Sequence, residues 1–273
     1  MATHVAVNRD PANAPTIERA MREFFDRFGD AVDPIADDLE TAIRRGDVDL
    51  GTLRSIRAEI GSRMGGFAND LEVVFREHGE QSAEAGRAIA ARRQSLDIAF
   101  DTVPRRTLGQ LDDWATTASE YVADSMEEEI TNYLRGAHEE GLSVDEVADQ
   151  FRDEFVEGRI KDSKAEQLAR DNTVAPSNAG NHSALRDAEG IVGEEWIDTS
   201  DGRTRDTHAA AGGQVVAVDQ PFVVGGYRAE HPGDPSLPPE EFTRCRCTMV
   251  GVFRDELTDG QYQRLVAGQR IWR

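Results

Sequence analysis

From Thr107 to about Ala137, the residues Leu111, Trp114, Ala115, Ala118, Tyr121, Val122, Met126, Ile130, Tyr133 and Leu134 keep to one face of a 3.6-residue period. Such a stripe runs for about eight turns, or about 45 Å at 1.5 Å per residue, and commits the chain to a long, rod-like helix. The residues before it repeat the pattern in shorter pieces. Ile17, Ala20, Met21, Phe24, Phe25 and Phe28 predict a helix that ends near Gly29, and Ile35, Leu39 and Ile43 mark a second. Leu53, Ile56, Ile60 and Met64 mark a third; Phe67, Leu71, Val74 and Phe75 open a fourth that continues through the Ala-rich segment 83–94.

Gly141 closes the rod, and Ser143-Val-Asp-Glu146 is a capping box that starts the next helix, with Val147, Phe151 and Phe155 on its buried face. A further helical segment over 163–188 ends at Gly190. Strand patterns begin only there: 195–198 around Trp196, 214–218, 222–224 and 247–253, separated by Gly, Pro and Asp turns. Residues 257–273 read as a short helix or a docking tail carrying Trp272. Helices first and strands afterwards argue an α+β chain, a long N-terminal helical region followed by a compact C-terminal unit with short antiparallel strands. The expected division is a flexible tail over 1–15, a helical arm or stalk over 16–142, an α+β domain over 143–253, and a tail or short helix over 254–273.

Fifty-two acids face 31 bases for a net charge of −21, and the only lysines are Lys161 and Lys164. Carboxylate excess with arginine in place of lysine is expected of a protein working in concentrated salt, where self-repulsion is screened. This favours a haloarchaeal origin, the alternatives being an acidic interaction face or a coding bias that trades Lys for Arg. Residues 1–160 hold 34 of the acids, and neither half offers a basic patch that would neutralise phosphates, so direct duplex recognition is disfavoured. No apolar run approaches a membrane span, and residues 1–15 lack the basic start and apolar core of a secretory leader, so a soluble intracellular product is expected.

The chemistry concentrates in D-G-R-T-R-D-T-H (201–208), H-P-G-D-P (231–235) and C-R-C (245–247). In a strand, Cys245 and Cys247 would present two sulfurs to one face while Arg246 points away. His208 is the natural third ligand of a soft metal and His231 a fourth, a Cys2His2 zinc set, although C-x-C lies outside the usual zinc-finger spacing. The other reading has two small buried cysteines and a His208 bonded to a carboxylate. A catalytic reading uses a cysteine nucleophile with His208 as base, or a hydrolytic metal on Asp201, Asp206 and His208. The chain has no HExxH, G-x-S-x-G or P-loop, which ranks catalysis lower.

Arg203 and Arg205 flank the Asp201-Gly202 turn, where they either pin the turn to carbonyls and carboxylates or grip a partner's acid or a phosphate. Asn178 and Asn181 either tie the 163–188 helix to the strand-rich unit or are solvated. Trp196 is expected in the core.

Taken in order, L-A-R-D-N-T…S-N-A-G-N (168–181), E-W-I-D-T-S-D-G-R-T-R-D-T-H-A-A-A-G-G-Q-V-V (195–216) and H-P-G-D-P-S-L-P-P-E-E-F-T-R-C-R-C-T (231–248) resemble the phage Mu F-like minor head proteins, the head-morphogenesis proteins of tailed phages. That family typically shows W-x-x-x-x-D-x-R-T-R-x-x-H-x-x-L-x-G and Y/H-P-G-D-P…N-C-R-C. Ala211 stands here where Leu is usual, Arg244 where Asn is usual, and Asp171-Asn172 interrupts the customary R-T-E. The resemblance covers roughly 143–253 and implicates Arg170, Asn178, Asn181, Trp196, Asp201, Arg203, Thr204, Arg205, Asp234, Pro235 and Arg246 as the structural motif around His208, His231, Cys245 and Cys247.

It implies a non-enzymatic minor capsid protein, present in few copies inside the virion head. Its implied partners are the portal protein and the inner capsid surface, with at most weak contact with packaged DNA. No cofactor beyond a structural zinc is expected. Related modules are fused to toxin domains, so a toxin- or hydrolase-like enzyme using His208, Cys245 and Cys247 is the alternative; the short stretch after Phe253 favours the structural role.

Overall fold

The computed structural model describes residues 15–49, 52–98 and 102–273, so nearly all of the tail expected over 1–15 lies outside the described residues. Helices α1 (Pro15–Arg45), α2 (Leu53–Arg63), α3 (Phe67–Gln94) and α4 (Arg105–Glu139) precede α5 (Val144–Gln150). The latter continues through wider π-type turns over Phe151–Lys164 into α6 (Ala165–Asp187). There follow β1 (Ile191–Ile197), α7 (Asp206–Ala211), β2 (Gln214–Ala217), β3 (Phe222–Val224), β4 (Tyr227–Ala229), α8 (Pro239–Phe242), β5 (Thr248–Phe253), α9 (Asp259–Val266) and β6 (Ile271–Trp272). The chain is α+β, with long helices first and short antiparallel strands last.

The described residues group into two compact units. One holds 22–77 and 112–169; the other joins 15–21, 78–111 and 170–273. Within the first, the break expected at Gly29 does not occur, and α1 runs on through Pro34. Phe24, Phe28, Val32, Ala36, Leu39 and Ile43 continue one buried row, and their packing outweighs the helix-breaking cost of a glycine and a proline. The rod ends as its sequence predicts. Gly141 adopts φ +74°, Leu142 donates its N–H to the Ala137 carbonyl, and Ser143 with Glu146 forms the capping box of α5. Tyr133, Phe151 and Phe155 stack with ring centroids 5.1–5.9 Å apart.

The second unit carries the sheet, antiparallel and ordered β5-β1-β2-β6. Alternation sends Val216 with Trp196, Phe222, Val224 and Met249 into one core, and Val215 with Val252, Leu257, Leu265 and Ile271 into another. The residues after β5 are built into the sheet: Thr258 caps α9, and β6 pairs with β2. Two short strands, β4 and β6, were not anticipated; three and two residues are too few to show alternation.

Inside this unit α3 and α6 approach to backbone contact. A Cβ on Gly86 would lie 1.9 Å from the Ser177 carbonyl oxygen, and one on Gly180 would lie 1.8 Å from that of Ala83. Only glycine fits at either position. Beside the crossing, the fully buried Arg87 guanidinium donates to Ser183 Oγ (3.1 Å) and Asp187 Oδ2 (2.6 Å), while Gln94 binds both the N–H and the carbonyl of Gly251 on β5.

Candidate functional site

The segment between β1 and α7 is a turn closed on Asp201. Its carboxylate accepts the Arg203 N–H (2.9 Å) and a bidentate pair from Arg246, 2.6 Å at each oxygen. Thr204 joins from inside, its N–H bonded to the Asp201 carbonyl and its hydroxyl to Thr199. The Arg246 guanidinium, with Arg203 nearby, holds the Asp201 carboxyl well below the usual range. Arg203 itself points to solvent, 3.6 Å from the same carboxylate, and Arg205 donates to the Thr243 carbonyl. The turn therefore fixes where α7 begins and where the C-R-C segment lies.

Cys245, Arg246 and Cys247 are extended but precede β5 instead of lying within it, because the Cys245 N–H is taken by the Phe242 carbonyl in the turn after α8. Extended backbone still alternates. Both sulfurs face inward and the Arg246 guanidinium faces Asp201. His208 on α7 meets them: its Nδ1 is 3.3 Å from Cys247 Sγ and 3.8 Å from Cys245 Sγ. All three residues are buried, at 2–3% exposure, so nothing in bulk solvent reaches the sulfurs. On the other side of the ring, Nε2 lies 3.2 Å from Glu241 Oε2, without the alignment of a hydrogen bond. The Trp196 indole stands edge-on to the imidazole, centroids 5.8 Å apart.

Hydrogen bonding from Cys247, with His208 beside it, pulls the Cys245 thiol well below its ordinary range; the bond to Cys245 and burial push Cys247 up. Burial lowers the His208 imidazole, but the bond and charge of Cys245 outweigh it, and the net shift is upward. The two sulfurs are thus shifted in opposite directions, beside a ring shifted upward.

His231 is not part of this group. Its ring lies 6.4 Å from that of His182, whose Nδ1 is 2.9 Å from both carboxylate oxygens of the fully buried Glu194. The H-P-G-D-P turn keeps it there: Asp234 accepts the N–H groups of Glu230 (2.6 Å) and Ser236 (2.8 Å), and Gly233 at φ +76° sits against Ala175. Pro235 follows on the exposed side. A Cys2His2 set is therefore replaced by a Cys2His group and a separate buried His/Glu pair.

On α6, Asn178 donates from Nδ2 to the carbonyls of Pro232 (3.0 Å) and Cys247 (2.9 Å), and its Oδ1 accepts from Thr248 Oγ1 (3.1 Å). One turn on, Asn181 donates to the Met249 carbonyl (2.9 Å). Arg170 is half-buried on the same helix. Asp171 accepts the N–H of Arg244 (2.6 Å), which adopts the left-handed φ of 56°. Two of the positions where the chain departs from the pattern it resembles are thus in contact.

Glu241, His182 and Glu194 escaped sequence reasoning. Glu241 sits in P-P-E-E-F, which reads as a solvated helix start, and Glu194 follows a glycine in a strand whose inward face is expected to be apolar.

The family model described as Phage Mu protein F like protein matches residues 128–250, a span holding Arg170, the asparagines and all three motif segments. The chain is similar to the uncharacterized protein YqbB of Bacillus subtilis, 22% identical over 197 residues, which cover 69% of this chain and 64% of that protein. It is also similar to the NAD(+)--arginine ADP-ribosyltransferase EFV of Enterococcus faecalis, 27% identical over 132 residues, which cover 47% of this chain and 26% of that protein. The matched part is thus under two thirds of the length of either relative. No solved structure matches the chain. Over residues 128–250, just under half of its length, this chain thus resembles the Phage Mu protein F like family.

Proposed function

We propose that the chain is a minor head component of a tailed virus, carried inside the head at the portal vertex and serving head morphogenesis or the packaging and delivery of the genome. The observation that carries this reading is the family match over 128–250, the span in which the motif residues pin α6, α7 and the C-R-C segment together. The helical unit of 22–77 and 112–169 serves to dock on the portal or the inner capsid surface. The net charge of −21 opposes any strong grip on packaged DNA and suits a high-salt setting, in which melting temperature rises with added salt.

The role is structural, not enzymatic. The one cysteine pair is buried beside His208, so a nucleophilic sulfur has no approach for a substrate. The likeness to an ADP-ribosyltransferase spans 26% of that protein, and its named activity is not carried over.

Quantitative proteomics on purified virions and on genome-free heads tests the reading. A low, fixed copy number per portal ring in both is expected. Absence from both overturns it and returns attention to an enzymatic role, for which NAD+ turnover by the purified chain is the direct assay.

A further inference from the structure

We propose that His208 Nδ1, Cys245 Sγ and Cys247 Sγ bind a zinc ion, with Glu241 positioning the imidazole and a single enclosed water completing the coordination.

The geometry already fits the ion. Zn–S bonds of about 2.3 Å and a Zn–N bond of about 2.05 Å at the tetrahedral angle put a ligating nitrogen roughly 3.6 Å from each sulfur. The observed separations, 3.3 and 3.8 Å, bracket that figure, and the three ligand atoms all lie within 4.8 Å of one another. Nothing needs to move far to admit the metal.

The donor set selects the ion by chemistry. Two thiolates and an imidazole are soft and borderline ligands, suited to zinc and poorly suited to magnesium or calcium. Charge makes the same case. The site lies in a core with Trp196, Phe222 and Met249, where an uncompensated thiolate is costly. Binding displaces to solvent whatever protons the two sulfurs and His208 Nδ1 hold, and leaves Zn²⁺ with two thiolates and a neutral imidazole, a neutral unit. The Trp196 indole N–H, buried in the same core, has no hydrogen-bond partner among the described residues.

The second shell is also in place. With Nδ1 turned to the sulfurs, Nε2 carries the proton and faces Glu241 Oε2 at 3.2 Å. Glu241 is itself held by the Thr207 hydroxyl, at 2.9 Å. A carboxylate behind a ligating histidine sets the tautomer and raises the basicity of the ring. This arrangement explains why a glutamate is buried at the start of a four-residue helix. No fourth His, Cys, Asp or Glu among the described residues joins the cluster.

The full-length chain, purified without a polyhistidine tag or chelator, is assayed by elemental analysis and then stripped and titrated with Co²⁺. The expected result is about one zinc per chain, and a thiolate-to-cobalt charge-transfer band that zinc abolishes. Glu241→Gln should keep the stoichiometry but weaken binding roughly 10–100-fold, as loss of a second-shell partner does. Cys247→Ser should lose the band. If a serine variant fails to fold, the wild-type metal content and cobalt spectrum still decide. Wild-type protein that holds no zinc after equilibration with the metal and gives no charge-transfer band overturns the assignment. Unchanged affinity in Glu241→Gln overturns the positioning role. Neither result bears on the head-component reading, which rests on the family match.

Discussion

Replacing Asn178 with alanine removes three hydrogen bonds at once and leaves their partners behind. The Pro232 and Cys247 carbonyls and the Thr248 hydroxyl all meet this one side chain, which is 2% exposed. Each bond contributes about 1 kcal/mol net, and each buried group left without a partner costs about 1–3 kcal/mol, less where water enters the space. The expected loss is about 3–5 kcal/mol, read by equilibrium urea denaturation with tryptophan fluorescence and far-ultraviolet circular dichroism as separate probes. At about 2–4 °C per kcal/mol for a chain of this size, the melting temperature falls by on the order of 10 °C.

Asn178→Asp separates hydrogen bonding from shape. It keeps the volume but turns two donated bonds into carboxylate–carbonyl repulsion, so at neutral pH it should be no more stable than the alanine variant. A carboxyl facing two carbonyl oxygens has its folded pKa raised, so the deficit should shrink as pH falls through that value and the protonated group donates again. A loss under about 1 kcal/mol for alanine, or an aspartate variant more stable than alanine at neutral pH, would refute the bridge.

Three other outcomes follow from the same structure. Gly180→Ala meets the Ala83 backbone at 1.8 Å and should cost about 3 kcal/mol or more, whereas Gly109→Ala, with nothing within 4 Å, should be neutral or slightly stabilising by thermal melt. Arg244→Asn places at φ 56° a residue that tolerates the left-handed region and keeps the N–H bond to Asp171; a gain of about 0.5–1 kcal/mol in urea is expected. Burial holds the His231 pKa below its ordinary value, with His182 acting in the same direction and Asp234 and Glu230 opposing. The unfolded chain then binds the proton first, so His231 contributes a loss of stability as pH drops below about 6.5, which His231→Gln should diminish in melts across that range. Buried Glu194, whose pKa is raised, contributes in the opposite sense and is left in place by that variant.

Local signals carried much of this fold. The Ser143 capping box, the left-handed Gly141 and Gly190, and the stripe over α4 depend on neighbours within a few residues, and all are visible in order along the chain. The helix through Gly29 and Pro34 was not, because two local breakers lose to buried contacts that only the packed unit supplies. The grouping of His208 with Cys245 and Cys247 could be read from residue type, but the exclusion of His231 depends on how Asp234 folds its own turn. Glu241 and the Asp171–Arg244 contact had no readable signal, since each gains its meaning from a partner 33 or 73 positions away.

The unit that holds the sheet is written discontinuously, and that has a consequence for synthesis on the ribosome. Gln94 must wait for Gly251, 157 positions later, before its amide finds both bonds. At roughly 5–20 residues per second, that interval lasts about 10–30 s, during which the α3 face that will receive β5 has no sheet to meet. Residues 22–77 and 112–169 complete their own unit well before that moment. Nascent chains thus finish in a fixed sequence, with closure of the late unit governed by contacts of long separation, the slow class in folding kinetics.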